Sequence, residues 1–143
     1  MSIQDRIQYL NPEGTGPAQG LYSHVTRVPA GTAMYHVAGQ LAVARDGSVV
    51  GKNDFEAQFH QVFSNLKDVL TGLGEDFNSV VKFTTLFVHS QDIEKFMRLR
   101  AELFPKLFVT PLFPPNTIFV IDRLVKEDFL FEVEAVVAAM ARR

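Results

Sequence analysis

Apolar residues recur at helical spacing through Phe55, Phe59, Val62, Phe63, Leu66, Val69, Leu70 and Leu73, which predicts a long amphipathic helix. Asn53 precedes it with Glu56 three residues later, a capping-box-like start, and Gly72 and Gly74 close it by permitting left-handed backbone geometry. So dense a stripe must lie on a sheet or on another helix. Val80 to His89 is β-branched and aromatic on both alternating faces, as a central strand covered on both sides would be. Ser90 is placed to cap a second helix through Ile93, Phe96, Met97, Leu99 and Leu103, with Pro105 as its stop. Upstream, Tyr22 to Val28 and Met34 to Ala44 read as strands joined by a hairpin connection at Pro29-Ala-Gly-Thr32, with Asp46-Gly47 the turn after them. Downstream, Thr117 to Leu124 and Phe129 to Ala138 read as strands around the turn Val125-Lys-Glu-Asp128. Met1 to Gly20, with Pro12, Gly14, Gly16 and Pro17, has little periodicity and reads as a lead-in.

The predicted order is ββαβαββ, an α+β layout in which two helices cover one face of a mixed sheet. Helices on one side leave the opposite face unexplained, because Val81, Phe83, Leu86, Phe87 and Val88 occupy both sides of one strand. A symmetric oligomer whose sheets form a closed inner surface would cover it. Residues 1–143 are expected to form a single domain, a length that buries roughly two-thirds of the unfolded surface.

Composition narrows the function classes. Hydrophobic residues at 47% and charged residues at 21% are ordinary for a soluble globular chain. No apolar run approaches the roughly 20 residues that span a bilayer, and the first residues are polar and charged, so a cytoplasmic protein without membrane contact is expected. The absence of cysteine excludes disulfides, cysteine nucleophiles and thiolate metal sites. A net charge of −2 supplies no overall pull toward nucleic acid. His24, His36, His60 and His89 are scattered, with no pair at metal-ligand spacing.

The candidate chemistry begins at Pro111-Leu-Phe-Pro-Pro-Asn-Thr-Ile-Phe119, where Pro111, Pro114 and Pro115 stiffen a turn that presents Asn116 and Thr117 at a strand end. Glu132 and Glu134 share one face of an otherwise apolar strand. Either Glu132 faces a cleft, with a raised pKa that lets it hold and deprotonate a water, or both acids belong to a solvated or inter-subunit face. Tyr22 either closes a cleft or packs half-buried at a strand start. Gly39 marks close backbone approach or a bulge in either case.

Several segments, in order and spacing, carry a resemblance that runs from about Pro17 to the C-terminus. They are Gly20-Leu-Tyr22-Ser-His24, Val37-Ala-Gly39-Gln40-Leu41, Asp46-Gly47, Gly51, Asp54-Phe-Glu-Ala-Gln58, Asn65-Leu66, Gly72, Gly74, Val80-Val-Lys82-Phe-Thr84, Phe113-Pro114 and Glu132-Val-Glu134-Ala135. In these the chain resembles the RidA family of reactive-intermediate deaminases, also called YjgF-like proteins. The resemblance implies a chorismate-mutase-like fold and a homotrimer with clefts between subunits, in which many members hydrolyse enamines and imines derived from amino acids to 2-keto acids and ammonia. No metal or organic cofactor is implied. A family arginine that grips the substrate carboxylate falls on Asn116, a cleft tyrosine on Tyr22, a glycine beside the cleft on Gly39, and a water-positioning glutamate on Glu132. The ligand-binding set it implies is Tyr22, Gly39, Phe113, Asn116 and Thr117, with Glu132 catalytic.

The asparagine is the departure. A guanidinium offers a charged planar fork, whereas an amide offers one neutral donor group and an acceptor. Charge-assisted bonds contribute about 1.5 to 3 kcal/mol, so an uncompensated loss weakens carboxylate binding roughly ten- to a hundredfold. Arg123 lies seven positions on and points to the opposite face of a regular strand. Arg27, on the first strand, is a freer candidate. Two readings follow: imine or enamine hydrolysis with altered substrate choice, or a non-catalytic module binding a neutral or amide-seeking metabolite. Ribonuclease activity has also been attributed to relatives, but the chain offers no basic stripe and no His pair for phosphoryl transfer.

Overall fold

The computed structural model describes residues 2–141; the ends of the expected 1–143 domain, Met1, Arg142 and Arg143, lie outside the described residues. The elements are β1 (Gln8–Leu10), β2 (Val25–Arg27), β3 (Met34–Gln40), α1 (Phe55–Gly72), β4 (Val80–Phe87), α2 (Asp92–Leu107), β5 (Asn116–Val120) and β6 (Phe131–Ala138). A four-stranded mixed sheet runs β3-β6-β4-β5, with β5 parallel to β4 and the other pairs antiparallel. The α+β layout with two helices and a mixed sheet is as the sequence predicts.

The hairpin at Pro29–Thr32 does not form. Strand β2 instead turns back onto β1, a short strand inside the lead-in, and β3 leaves to pair with β6. The ribbon β1–β2 is fastened by its side chains: Tyr9 Oη donates to Val80 O at 2.6 Å and Thr26 Oγ1 to Val81 O at 2.6 Å. These carbonyls lie at the register shift between Val80 and Lys82, where a bulge interrupts the ladder. Burial, with Asp76 adding to it, pushes the Tyr9 phenol far up, so it stays a donor.

Helix α1 is capped by Asp54 rather than Asn53. The Asp54 carboxylate accepts from Ala57 N at 3.0 Å, while Asn53 takes a left-handed φ of 59° that asparagine tolerates. The helix ends in a Schellman arrangement, with Glu75 N donating to Leu70 O and Gly74 N to Thr71 O around a Gly74 φ of 75°. Helix α2 carries Pro105 inside its last turn and runs on to Leu107, because a proline near the C-terminus removes one hydrogen bond without forcing the chain out of helix. Its N-cap position is Gln91, not Ser90.

Phe83, Phe87, Phe131, Val133, Ala135 and Val137 share the sheet face beneath the helices. Phe55, Phe59 and Phe63, at four-residue spacing on α1, meet them: Phe59 lies 5.8 Å from Phe131 and 4.9 Å from Phe63, and Phe63 lies 6.2 Å from Phe83. Burying rings of this size dominates the core energetics, and truncating Phe59 to alanine would cost about 3–5 kcal/mol. Among the described residues no helix is long and apolar enough to cross a membrane.

Candidate functional site

The proline turn docks by accepting from Phe83 N at Pro115 O, 2.9 Å, which seats Asn116 at the start of β5 opposite Phe83. That register puts the Asn116 side chain on the helix-covered side of the sheet. There Thr85 Oγ1 donates to Asn116 Oδ1 at 2.7 Å, which fixes the amide with its oxygen engaged. Between α2 and β5 lies a pocket of about 390 Å³, bounded by Tyr22, Met97, Arg100, Asn116 and Thr117 with Gln19 at its rim. The Gln19 backbone N–H donates to the Tyr22 hydroxyl at 3.1 Å and holds the phenol over the opening.

Arg100 forms the inner wall of this pocket. It is 2% exposed, its Nη2 donates to the Met97 thioether at 3.0 Å, and its buried Nε and Nη1 have no hydrogen-bond partner among the described residues. The guanidinium sits over the Phe96 ring at 4.8 Å and near Phe104 at 6.0 Å, where the ring faces offset part of its desolvation. Burial lowers its pKa to about 10, with the Tyr22 phenol working against the shift, so it is cationic at neutral pH. Gly20 makes room for it: a Cβ there would collide with Arg100 Nη2 and come within 2.6 Å of Met97 Cε.

The two cations weighed from the sequence are elsewhere. Arg123 bonds to Glu127 at 2.9 Å and to the carbonyls of Leu124 and Val125, and Arg27 reaches Gln4 O at 3.5 Å. Sequence reasoning missed Arg100, although a signal exists. It sits four residues after Phe96 and four before Phe104, a cation inside the apolar stripe of a helix.

A second group lies on the other face of the sheet. Glu132 pairs with Leu86 and Glu134 with Thr84, while Phe131, Val133 and Ala135 turn into the core. The Glu132 side chain occupies the space that Gly39 leaves, since a Cβ on Gly39 would collide with Glu132 Oε1 and approach its Cδ at 2.6 Å. Gly39 lies within the register shift between Val37 and Gln40 that permits this approach. Partial burial, and then the neighbouring Glu134, raise the Glu132 pKa. The structure thus brings Tyr22 and Asn116 together at the pocket, which Thr117 also borders although its register opposite Thr84 turns its side chain to the open face, and separately Gly39 and Glu132. Phe113 packs in the core behind the turn, 5.8 Å from Phe104 and 5.5 Å from Phe108. Among the described residues no group of three or more histidines or acids is placed to hold a metal ion.

Two helices on one face of a β3-β6-β4-β5 sheet, with an open face carrying Glu132, define the RidA-like class of small α+β proteins. The chain belongs to this RidA/YjgF family: the model of the family described as Endoribonuclease L-PSP matches residues 14–139. A RutC family protein of Pyrococcus horikoshii is 30% identical over 125 residues, covering 87% of this chain and 89% of the relative. Among solved structures, a Yersinia pestis protein of unknown function of the conserved Rid family, YyfB, has a TM-score of 0.81 at 26% identity, covering 93% of this chain and 98% of that one. The YjgF gene product of E. coli has a TM-score of 0.66 at 26% identity, covering 95% and 99%.

Proposed function

We propose that this protein is a small-molecule hydrolase of the deaminase type, a homotrimer that adds water to imines or enamines with Glu132 as its acid-base group. The observation that carries this reading is the seat of Glu132: a carboxyl group with a raised pKa, against a glycine that leaves room for it, on a strand whose other face is core. In its ionised form this carboxylate takes a proton from water as the oxygen bonds to the imine carbon, while the C=N electron pair moves to nitrogen. Proton return to that nitrogen gives the carbinolamine, and transfer of its hydroxyl proton to the nitrogen through Glu132 then lets the C–N bond break as the carbonyl forms, releasing ammonia and a keto product.

The pocket beside Asn116 and the seat of Glu132 lie on opposite faces of the sheet, so a substrate that used both would bind between copies. Edge strand β5, with Phe119 and Val120 half-exposed, supports such a seam. The small pocket and the absence of a basic stripe favour a metabolite over RNA, despite the ribonuclease wording of the family description. The test uses freshly generated imino acids. Wild-type protein is expected to accelerate their hydrolysis, and Glu132→Gln to lower the rate about 10²- to 10⁴-fold with binding retained. A wild-type rate equal to buffer for several side chains removes the hydrolase reading. The neutral Asn116 favours a second reading, a non-catalytic binding module, which thermal stabilisation by metabolites without turnover would support.

A further inference from the structure

The pocket between α2 and β5 is walled largely by the apolar side chains of Ile93, Met97 and Ile118, and the polar groups set among them offer donors. Asn116 has its oxygen engaged by Thr85, which leaves the amide NH₂ as the group it can offer. Tyr22 accepts from Gln19 and keeps its own hydroxyl hydrogen. Arg100 adds a full positive charge whose Nε and Nη1 are buried and unpartnered among the described residues. None of the lining side chains is acidic. The ion pairs along these helices go to other cations: Asp92 to Lys95, and Glu56 and Glu102 to Arg98. A cation withdrawn from water with a thioether as its one bonded partner is costly, and an anion entering beside it would complete the arrangement. Gly20 leaves the space that the Arg100 guanidinium tip and the Met97 methyl occupy.

We propose that Arg100, reaching the pocket from helix α2, is the carboxylate-anchoring cation of this protein, with the Asn116 amide and the Tyr22 hydroxyl as neutral donors beside it. The assignment rests on the small-molecule reading above and narrows it to ligands carrying a carboxylate. One positive charge among neutral donors matches a monoanion better than a phosphate dianion. The planar guanidinium matches a planar carboxylate. The charge that the turn lacks is thus supplied from a different element, on the same side of the sheet.

The experiment titrates ¹⁵N-labelled protein with pyruvate, with its neutral analogue pyruvamide, and with inorganic phosphate, following the arginine Nε–H resonances. The Arg100 signal is assigned by its loss in Arg100→Met. Pyruvate is expected to shift that signal, and Arg100→Met to weaken pyruvate binding about ten- to a hundredfold, a larger loss than it causes for pyruvamide. Should Arg100→Met fail to fold, Asn116→Asp serves instead. Its carboxylate would neutralise Arg100 from within and weaken pyruvate binding similarly. The proposal is overturned if pyruvate does not bind, binds with the Arg100 signal unmoved, or binds either variant as tightly as the wild type. Phosphate or pyruvamide binding as tightly as pyruvate overturns it as well. These are binding readouts, so carboxylate capture without imine turnover would remove the hydrolase reading alone. Turnover indifferent to the substrate carboxylate would remove this one alone.

Discussion

At the scale of single residues, the molecule places two charges where water would normally be needed, and each leaves a measurable signature. Glu132 has a native pKa above its unfolded value of about 4.3, with burial the larger cause and Glu134 the second. A raised carboxyl pKa means that the native state holds its proton more tightly than the unfolded chain does. The associated stability is therefore present in acid and is lost as pH rises through the native pKa. Glu132→Gln is expected to raise the melting temperature at pH 7 by a few degrees, with the difference shrinking toward pH 4. Calorimetry across that range checks it, and a pH-independent difference would mean that the carboxylate is not destabilised in place. The two charges differed in how legible they were. Glu132 was visible because an acid on an alternating apolar strand breaks a period of two. Arg100 is hard to read from sequence because a long cationic side chain on a helix ordinarily reaches for solvent, and nothing in local spacing says that its tip turns inward.

At the scale of elements, side-chain clips to the backbone hold the loops that flank the sheet. Gln58 is fully buried on α1. Its Nε2 donates to Asp128 O at 2.8 Å and Gly51 O at 3.1 Å, and its Oε1 accepts from Leu130 N at 2.8 Å. Gln58→Leu would strand three part-buried backbone groups and is expected to cost about 1–3 kcal/mol, measured by urea unfolding. A loss under 0.5 kcal/mol would show that water replaces the clip. Asn65 acts similarly, donating to Leu41 O at 2.8 Å and Val43 O at 2.9 Å. These residues help carry the family resemblance, and their place in the structure is architectural. Helix α1 and strand β4 were legible because long periodic segments fix their own register. Strand β1 was not, since its three residues lie in a segment rich in proline and glycine and are held by Tyr9 and Thr26 reaching β4. The misread hairpin has the same origin: spacing reveals a turn but not which neighbour a three-residue strand will choose.

At the scale of the whole molecule, the separation of Glu132 from the Arg100 pocket makes assembly a condition of the proposed chemistry. Light scattering is expected to give a trimer, and a stable monomer at micromolar concentration would remove the shared cleft. Mixing offers a sharper check. If each site takes Glu132 from one copy and the pocket from the next, subunits carrying Glu132→Gln and subunits carrying Arg100→Met should each be impaired as pure assemblies. Refolded together, they should recover a fraction of wild-type imine hydrolysis, because some seams then join two intact halves. No recovery would place both groups in service of one chain. The aromatic inventory adds a practical consequence. The chain has thirteen phenylalanines, three tyrosines and no tryptophan. With Tyr9 sealed against the Val80 carbonyl, Tyr22 at the mouth of the pocket and Tyr35 exposed on β3, the part of the protein's ultraviolet emission lost in Tyr22→Phe becomes an unlabelled optical gauge of whether that mouth is occupied.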